Sequence, residues 1–72
     1  MNGAKEREAT PQERHLTTQE LADREGVSLQ TVYTWRVHQK GPRAMRIGKY
    51  VRYRMADVLA WEEAQLDPAF RA

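Results

Sequence analysis

Two helix signals in this chain stand only two residues apart, and that spacing limits what the chain can fold into. The first signal is LTTQEL, residues 16 to 21. Thr17 is placed to cap a helix by accepting from the free N–H of Glu20, and Glu20 to accept in return from the Thr17 N–H. Leu16 and Leu21 then occupy the hydrophobic-staple positions. Together they predict a helix over about 18–25, ended by Gly26, where a left-handed residue suits. The second signal follows at once. Ser28 is an N-cap candidate, and LQTVYTWRVHQ after it predicts a helix over about 29–39. Leu29, Val32 and Trp35 share its inner face, and Gln30, Thr31, Thr34 and Arg36 face outward. Lys40-Gly41-Pro42 stops it. With Gly26 and Val27 alone between the first helix and the Ser28 cap, the two helices must cross steeply. That is the helix-turn-helix layout.

RIGKYVRYR, residues 46 to 54, alternates apolar and basic side chains around a Gly48-Lys49-Tyr50 centre, the pattern of a two-stranded ribbon. Strands are expected over about 44–47 and 51–54. A three-residue loop, 48 to 50, would pair Ile47 with Val51 and Arg46 with Arg52 and keep the apolar side chains on one face. It would also set two arginines opposite each other, which costs energy unless an anion lies against them. ADVLAWEEAQ predicts a last helix over about 56–65, with Val58, Leu59 and Trp61 inward and Asp57 in the first turn, where the helix dipole favours an acid. The expected fold class is α+β, mostly α: a small winged helix-turn-helix. Residues 1–15 are expected as a flexible N-terminal tail, 16–65 as the domain, and 66–72 as a C-terminal tail in which Phe70 is available to dock or to contact a neighbour.

Charge points to the partner. Residues 26–56 hold Arg36, Lys40, Arg43, Arg46, Lys49, Arg52 and Arg54 and no acid, whereas both flanks are net acidic and the whole chain is only +2. A dipolar chain with an acid-free middle fits a polyanion. Enzymatic function is not expected. A chain of 72 residues buries only about 60% of its unfolded surface, which leaves little room for a substrate cavity. There is no cysteine, and His15 and His38, far apart and without a partner set, read as surface residues, so neither metal nor cofactor is expected. No apolar run approaches membrane length, and MNGAKEREATPQER lacks the apolar stretch of a leader. The expected location is cytoplasmic, nucleoid-associated in a bacterial host.

VSLQTVYTWR followed by GPRAMRIGKYVRYRMADVLAW resembles the excisionase-type helix-turn-helix domains, small relatives of the MerR-like winged helices. The resemblance covers about residues 16 to 62. It rests on Leu-Thr-Thr, Val-Ser, Thr-Val-Tyr-x-Trp, Arg-Ile-Gly, Val-Arg-Tyr-Arg and Asp-Val-x-x-Trp in that order. Each mark is weak alone. The family differs at two places: basic residues are common where Leu29-Gln30 stand, and a charge is common at Met55-Ala56.

A recognition helix in the major groove would present Ser28, Gln30, Thr31 and Thr34 to base edges. Ser28 is either a base contact or a cap only. Tyr33 either reaches a phosphate or packs. Val32 and Trp35 belong to the core. The resemblance implies that the wing tip around Lys49, with Arg46 and Arg52, enters the minor groove or meets phosphates, while Arg36, Lys40, Arg43 and Arg54 line the backbone. It further implies an excisionase, or recombination directionality factor. Several copies would bind attachment-site DNA head to tail and cooperatively, bend it, and direct a tyrosine integrase towards prophage excision. The alternative is a small MerR-like transcriptional regulator. Such regulators dimerise through a long helix after the wing, and only about ten residues follow Trp61. A protein-docking adaptor fits the acid-free middle less well.

Overall fold

The computed structural model describes residues 15–69; residues 1–14 and Phe70 lie outside them. In chain order come β1 (His15–Leu16), α1 (Thr18–Glu25), α2 (Leu29–Val37), β2 (Met45–Ile47), β3 (Tyr50–Arg54) and α3 (Met55–Ala64). The strands form one antiparallel sheet in the order β1-β3-β2. This is the expected winged helix-turn-helix with one strand added. β1 pairs His15 with Arg54 and Leu16 with Tyr53.

The helix junction follows local hydrogen-bond rules. At α1 the Oγ1 of Thr17 accepts from the Glu20 N–H at 3.0 Å, and Oε1 of Glu20 accepts from the Thr17 N–H at 2.9 Å. After α1, Gly26 adopts φ 71°. The N–H groups of Gly26 and Val27 donate back to the carbonyls of Asp23 and Ala22 at 3.2 and 3.0 Å, closing the helix with a left-handed cap. That turn delivers Val27 to the edge of the core. The next residue, Ser28, accepts from the Thr31 N–H at 3.1 Å and starts α2.

α2 stops two residues before its expected end. Gln39 takes φ 57°, and the N–H groups of Gln39 and Lys40 donate to the carbonyls of Arg36 and Trp35 at 3.2 and 2.6 Å. This is the closure used after α1, with glutamine in the glycine position. Gly41 and Pro42 only lead the chain away. Gly41 passes so close to Trp35 that a Cβ there would sit 3.0 Å from the ring.

The wing differs from its expected register. Met45 faces Arg52, Arg46 faces Val51 and Ile47 faces Tyr50. The turn is therefore Gly48-Lys49, two residues rather than three, and the Ile47–Val51 and Arg46–Arg52 pairs do not form. Gly48 has φ 61° while Lys49 does not share the positive φ. A positive φ at the first central position is the type II′ pattern, whose twist matches that of the flanking strands. The new register also places Arg46 and Arg52 on opposite faces, which removes the like-charge pair. Its cost is Ile47, which leaves the apolar face.

α3 begins at Met55, one residue earlier than expected, directly from β3. Val58 is fully buried and Trp61 partly buried, but Leu59 lies at the surface rather than on the inner face. The core consists of Leu16, Leu21, Ala22, Val32, Tyr53, Met55 and Val58, with Val27, Trp35 and Val51 packed against it. From the ribbon it takes only Val51 and Tyr53. Trp35 and Trp61 join α2 to α3, with ring centroids 5.1 Å apart and tilted by 46°.

A charged cluster ties α1 to α3. Arg24 donates twice to Glu62, at 2.6 and 2.8 Å. Glu25 lies beside this pair, its buried Oε2 without a hydrogen-bond donor and 3.6 Å from the Arg24 Nε. Burial first, and then the neighbouring Glu62 carboxylate, which accepts only from the protonated acid, raise the pKa of Glu25 to about 7. The Arg24 hydrogen bonds hold Glu62 down at about 2.

Two outcomes follow. Gln39→Gly removes the strain of a left-handed side-chain residue and should stabilise the fold by about 0.5–1 kcal/mol in chemical denaturation. A carboxyl with a raised folded pKa contributes stability below its ordinary value near 4.5, and loses it as pH rises through about 7. The parent should therefore lose stability between those pH values. Glu25→Gln should flatten that decline, read as denaturation midpoint against pH.

Candidate nucleic-acid interface

The outer side of α2 carries the residues that the sequence assigns to base reading, together with Tyr33, assigned to a phosphate or to packing. Ser28, Gln30, Tyr33 and Thr34 are exposed and Thr31 is partly covered. Several of them are already engaged. The Ser28 and Thr31 hydroxyls bond each other at 2.9 Å. The Thr34 hydroxyl donates to the Gln30 carbonyl at 3.0 Å. Ser28 therefore caps the helix whatever else it touches. Arg36 is half-buried and lies over the Tyr33 ring, its guanidinium carbon 5.3 Å from the centroid, so each restrains the other.

The first turn of α2 contains no acid, whereas that of α1 holds Glu20 and that of α3 holds Asp57. The positive end of the α2 dipole is thus left without a side-chain counter-charge.

Beyond the end of α2 the chain folds back and gathers three of the predicted cations. Arg36, Lys40 and Arg43 line a shallow groove of about 280 Å³ with Gln39, Gly41, Pro42 and Ala44. Further cations lie on the wing. Arg46 and Lys49 are exposed. Arg52 is partly covered: it donates to the Val51 carbonyl at 2.8 Å, and its guanidinium carbon lies 5.4 Å from the Tyr50 ring centroid. Lys49 approaches the same ring at 5.6 Å.

Arg54 differs from the rest. It donates to Asp57 at 2.6 Å, and that bond holds the Asp57 carboxyl below its usual range. Its charge is largely answered within the protein. Sequence reasoning also passed over Ile47 and Tyr50, which the two-residue turn sets side by side at the wing tip. Glycine in the first central turn position was the available signal for that turn.

Residues 16–66 match the family model described as a helix-turn-helix domain, a match that covers most of the chain. The chain belongs to the helix-turn-helix domain family. That family includes excisionase-like DNA-binding proteins and is typically non-enzymatic. Membership points to sequence-specific DNA binding. No curated protein matches the chain. In DNA-binding helix-turn-helix domains the second helix of the motif enters the major groove, and α2 is the second helix of the motif here. Among the described residues, no helix is long and apolar enough to cross a membrane, and no group of His, Cys, Asp and Glu is placed to hold a metal ion.

The Arg54–Asp57 pair gives a contrast that can be measured. Removing a cation that meets a phosphate lowers the slope of log affinity against log salt by about one. Arg46→Ala should show that full change on duplex DNA, and Arg54→Ala a clearly smaller one.

Proposed function

We propose that this helix-turn-helix protein is an excisionase-type recombination directionality factor. It binds attachment-site DNA cooperatively, bends it, and directs a tyrosine integrase towards excision. The observation that carries the reading is the pairing of a short α2 with a wing on which Arg46, Lys49 and Arg52 gather. So small a module, with few base contacts, is suited to act beside other copies of itself.

In this reading α2 lies in the major groove. The Gln30 amide reads adenine through paired hydrogen bonds, and Thr31 and Thr34 meet bases through hydroxyl oxygen or methyl. The Thr34 proton is committed to the Gln30 carbonyl, so Thr34 serves as an acceptor or an apolar contact. Ser28 fixes the first turn of α2, and the acid-free N-terminus of the helix accepts a nearby phosphate. Tyr33 holds Arg36 in place, and Arg36, Lys40 and Arg43 follow the backbone beyond the helix. Arg46, Lys49 and Arg52 bring the wing to the neighbouring minor groove, where negative potential is greatest when the groove is narrow. Neutralising about five phosphates gives a salt slope near −4.5. Base contacts from one such module are few, so direct repeats occupied head to tail would supply the specificity. The protein does no bond chemistry itself: it shapes the DNA on which the integrase cuts.

Selection of bound fragments from the source genome at near-physiological salt tests this. The expected result is cooperative protection of closely spaced direct repeats beside an integrase attachment site, followed by stimulation of excision when the integrase is added. A lone or inverted site over a promoter would instead identify a small transcriptional regulator using the same surface.

A further inference from the structure

The wing ends in an apolar pair that folding does not explain. Ile47 stands directly opposite Tyr50 across the two-residue turn. They are 49% and 55% exposed. Opposed residues share one face of a ribbon, and so do alternate residues along a strand. Ile47 and Tyr50 therefore lie on the outer face with Met45 and Arg52, away from Val51 and Tyr53, which the ribbon sends towards the core. An isoleucine and a tyrosine at the tip of a projecting ribbon are a liability in water.

Their surroundings identify the partner. Lys49 and Arg52 both lie over the Tyr50 ring. Arg52 is itself anchored to the Val51 carbonyl, which stiffens the tip. No acid occurs anywhere from residue 26 to 56. A blunt apolar tip ringed by cations matches the minor groove of duplex DNA, whose sugar walls are apolar and whose rims are phosphate. Proteins that kink DNA from that groove insert apolar side chains between base steps while cations hold the backbone.

We propose that Ile47 and Tyr50 form a wedge that enters the minor groove and partly unstacks one base step of the bound duplex. The proposal rests on the DNA-binding reading above and adds a structural cause for bending. It also adds a source of specificity beyond α2: pyrimidine–purine steps, which unstack most readily, are preferred at the wedge position.

The test uses the full chain and a short duplex from the selected fragment. 2-Aminopurine is placed at successive steps in turn, and the duplex ends carry a fluorescent distance pair. For the parent protein, 2-aminopurine emission should rise at one step and the ends should draw together. Ile47→Ser and Tyr50→Ser should abolish both signals and lower affinity about tenfold, with the salt slope unchanged because no charge is removed. Tyr50→Phe keeps the ring and should behave as the parent. Replacing a TA step at the wedge position by AA should weaken the parent and leave the serine variants nearly unaffected. Tight, salt-dependent binding by the parent with no emission rise at any step would overturn the wedge and leave the DNA-binding reading intact. So would serine variants that bend DNA as the parent does. Absence of salt-dependent binding to any duplex would overturn the underlying reading instead. The parent's emission scan decides the matter without relying on any variant's folding.

Discussion

The direction in which the outer face of α2 points depends on the turn between α1 and α2. In that turn the backbone is held at both ends. Gly26 and Val27 return their N–H groups to α1, and the Ser28 hydroxyl oxygen accepts from the Thr31 N–H in the first turn of α2. No slack residue remains to vary the angle between the helices. Val27, caught between the two caps, packs against the core, so a change of angle would also expose apolar surface.

Charge is divided along the same lines. Acids gather on α1 and α3, where Glu62 locks the two helices through Arg24. Cations occupy the segment between them. Asp57 sits at the boundary and draws Arg54 inward, so the last arginine of β3 serves α3 as much as any external partner. A count of basic residues treats all seven cations alike. Among the described residues, geometry sets Arg54, already paired with Asp57, apart from the other cations of this segment.

Much of this was legible in the sequence, and the parts that were not share a cause. Caps are local: Thr17 with Glu20, and Ser28 with Thr31, announce themselves within four residues. The helix-turn-helix could be read from them. β1 could not, because two residues carry no periodicity and the pairing partner lies near residue 54. The end of α2 was misplaced because Gly41 is the obvious left-handed residue, yet Gln39 takes that conformation too. The wing register was misread on the assumption that Ile47 belongs to the core. One φ angle at Gly48 decided otherwise. The cationic part of the candidate site was visible as a run without acids, whereas the neighbouring apolar pair emerged only with the register.

The strand order leaves the wing with an open side. β3 is central, so β2 presents unpaired backbone groups to the surroundings. Such an edge invites another strand. Here it is only Met45–Ile47 long, with Arg46 at its centre and Lys49 in the adjoining turn. Two free molecules approaching wing to wing would meet positive charge with positive charge before any backbone bond could form. The basic residues of the ribbon thus also disfavour association of two free molecules through their own sheets.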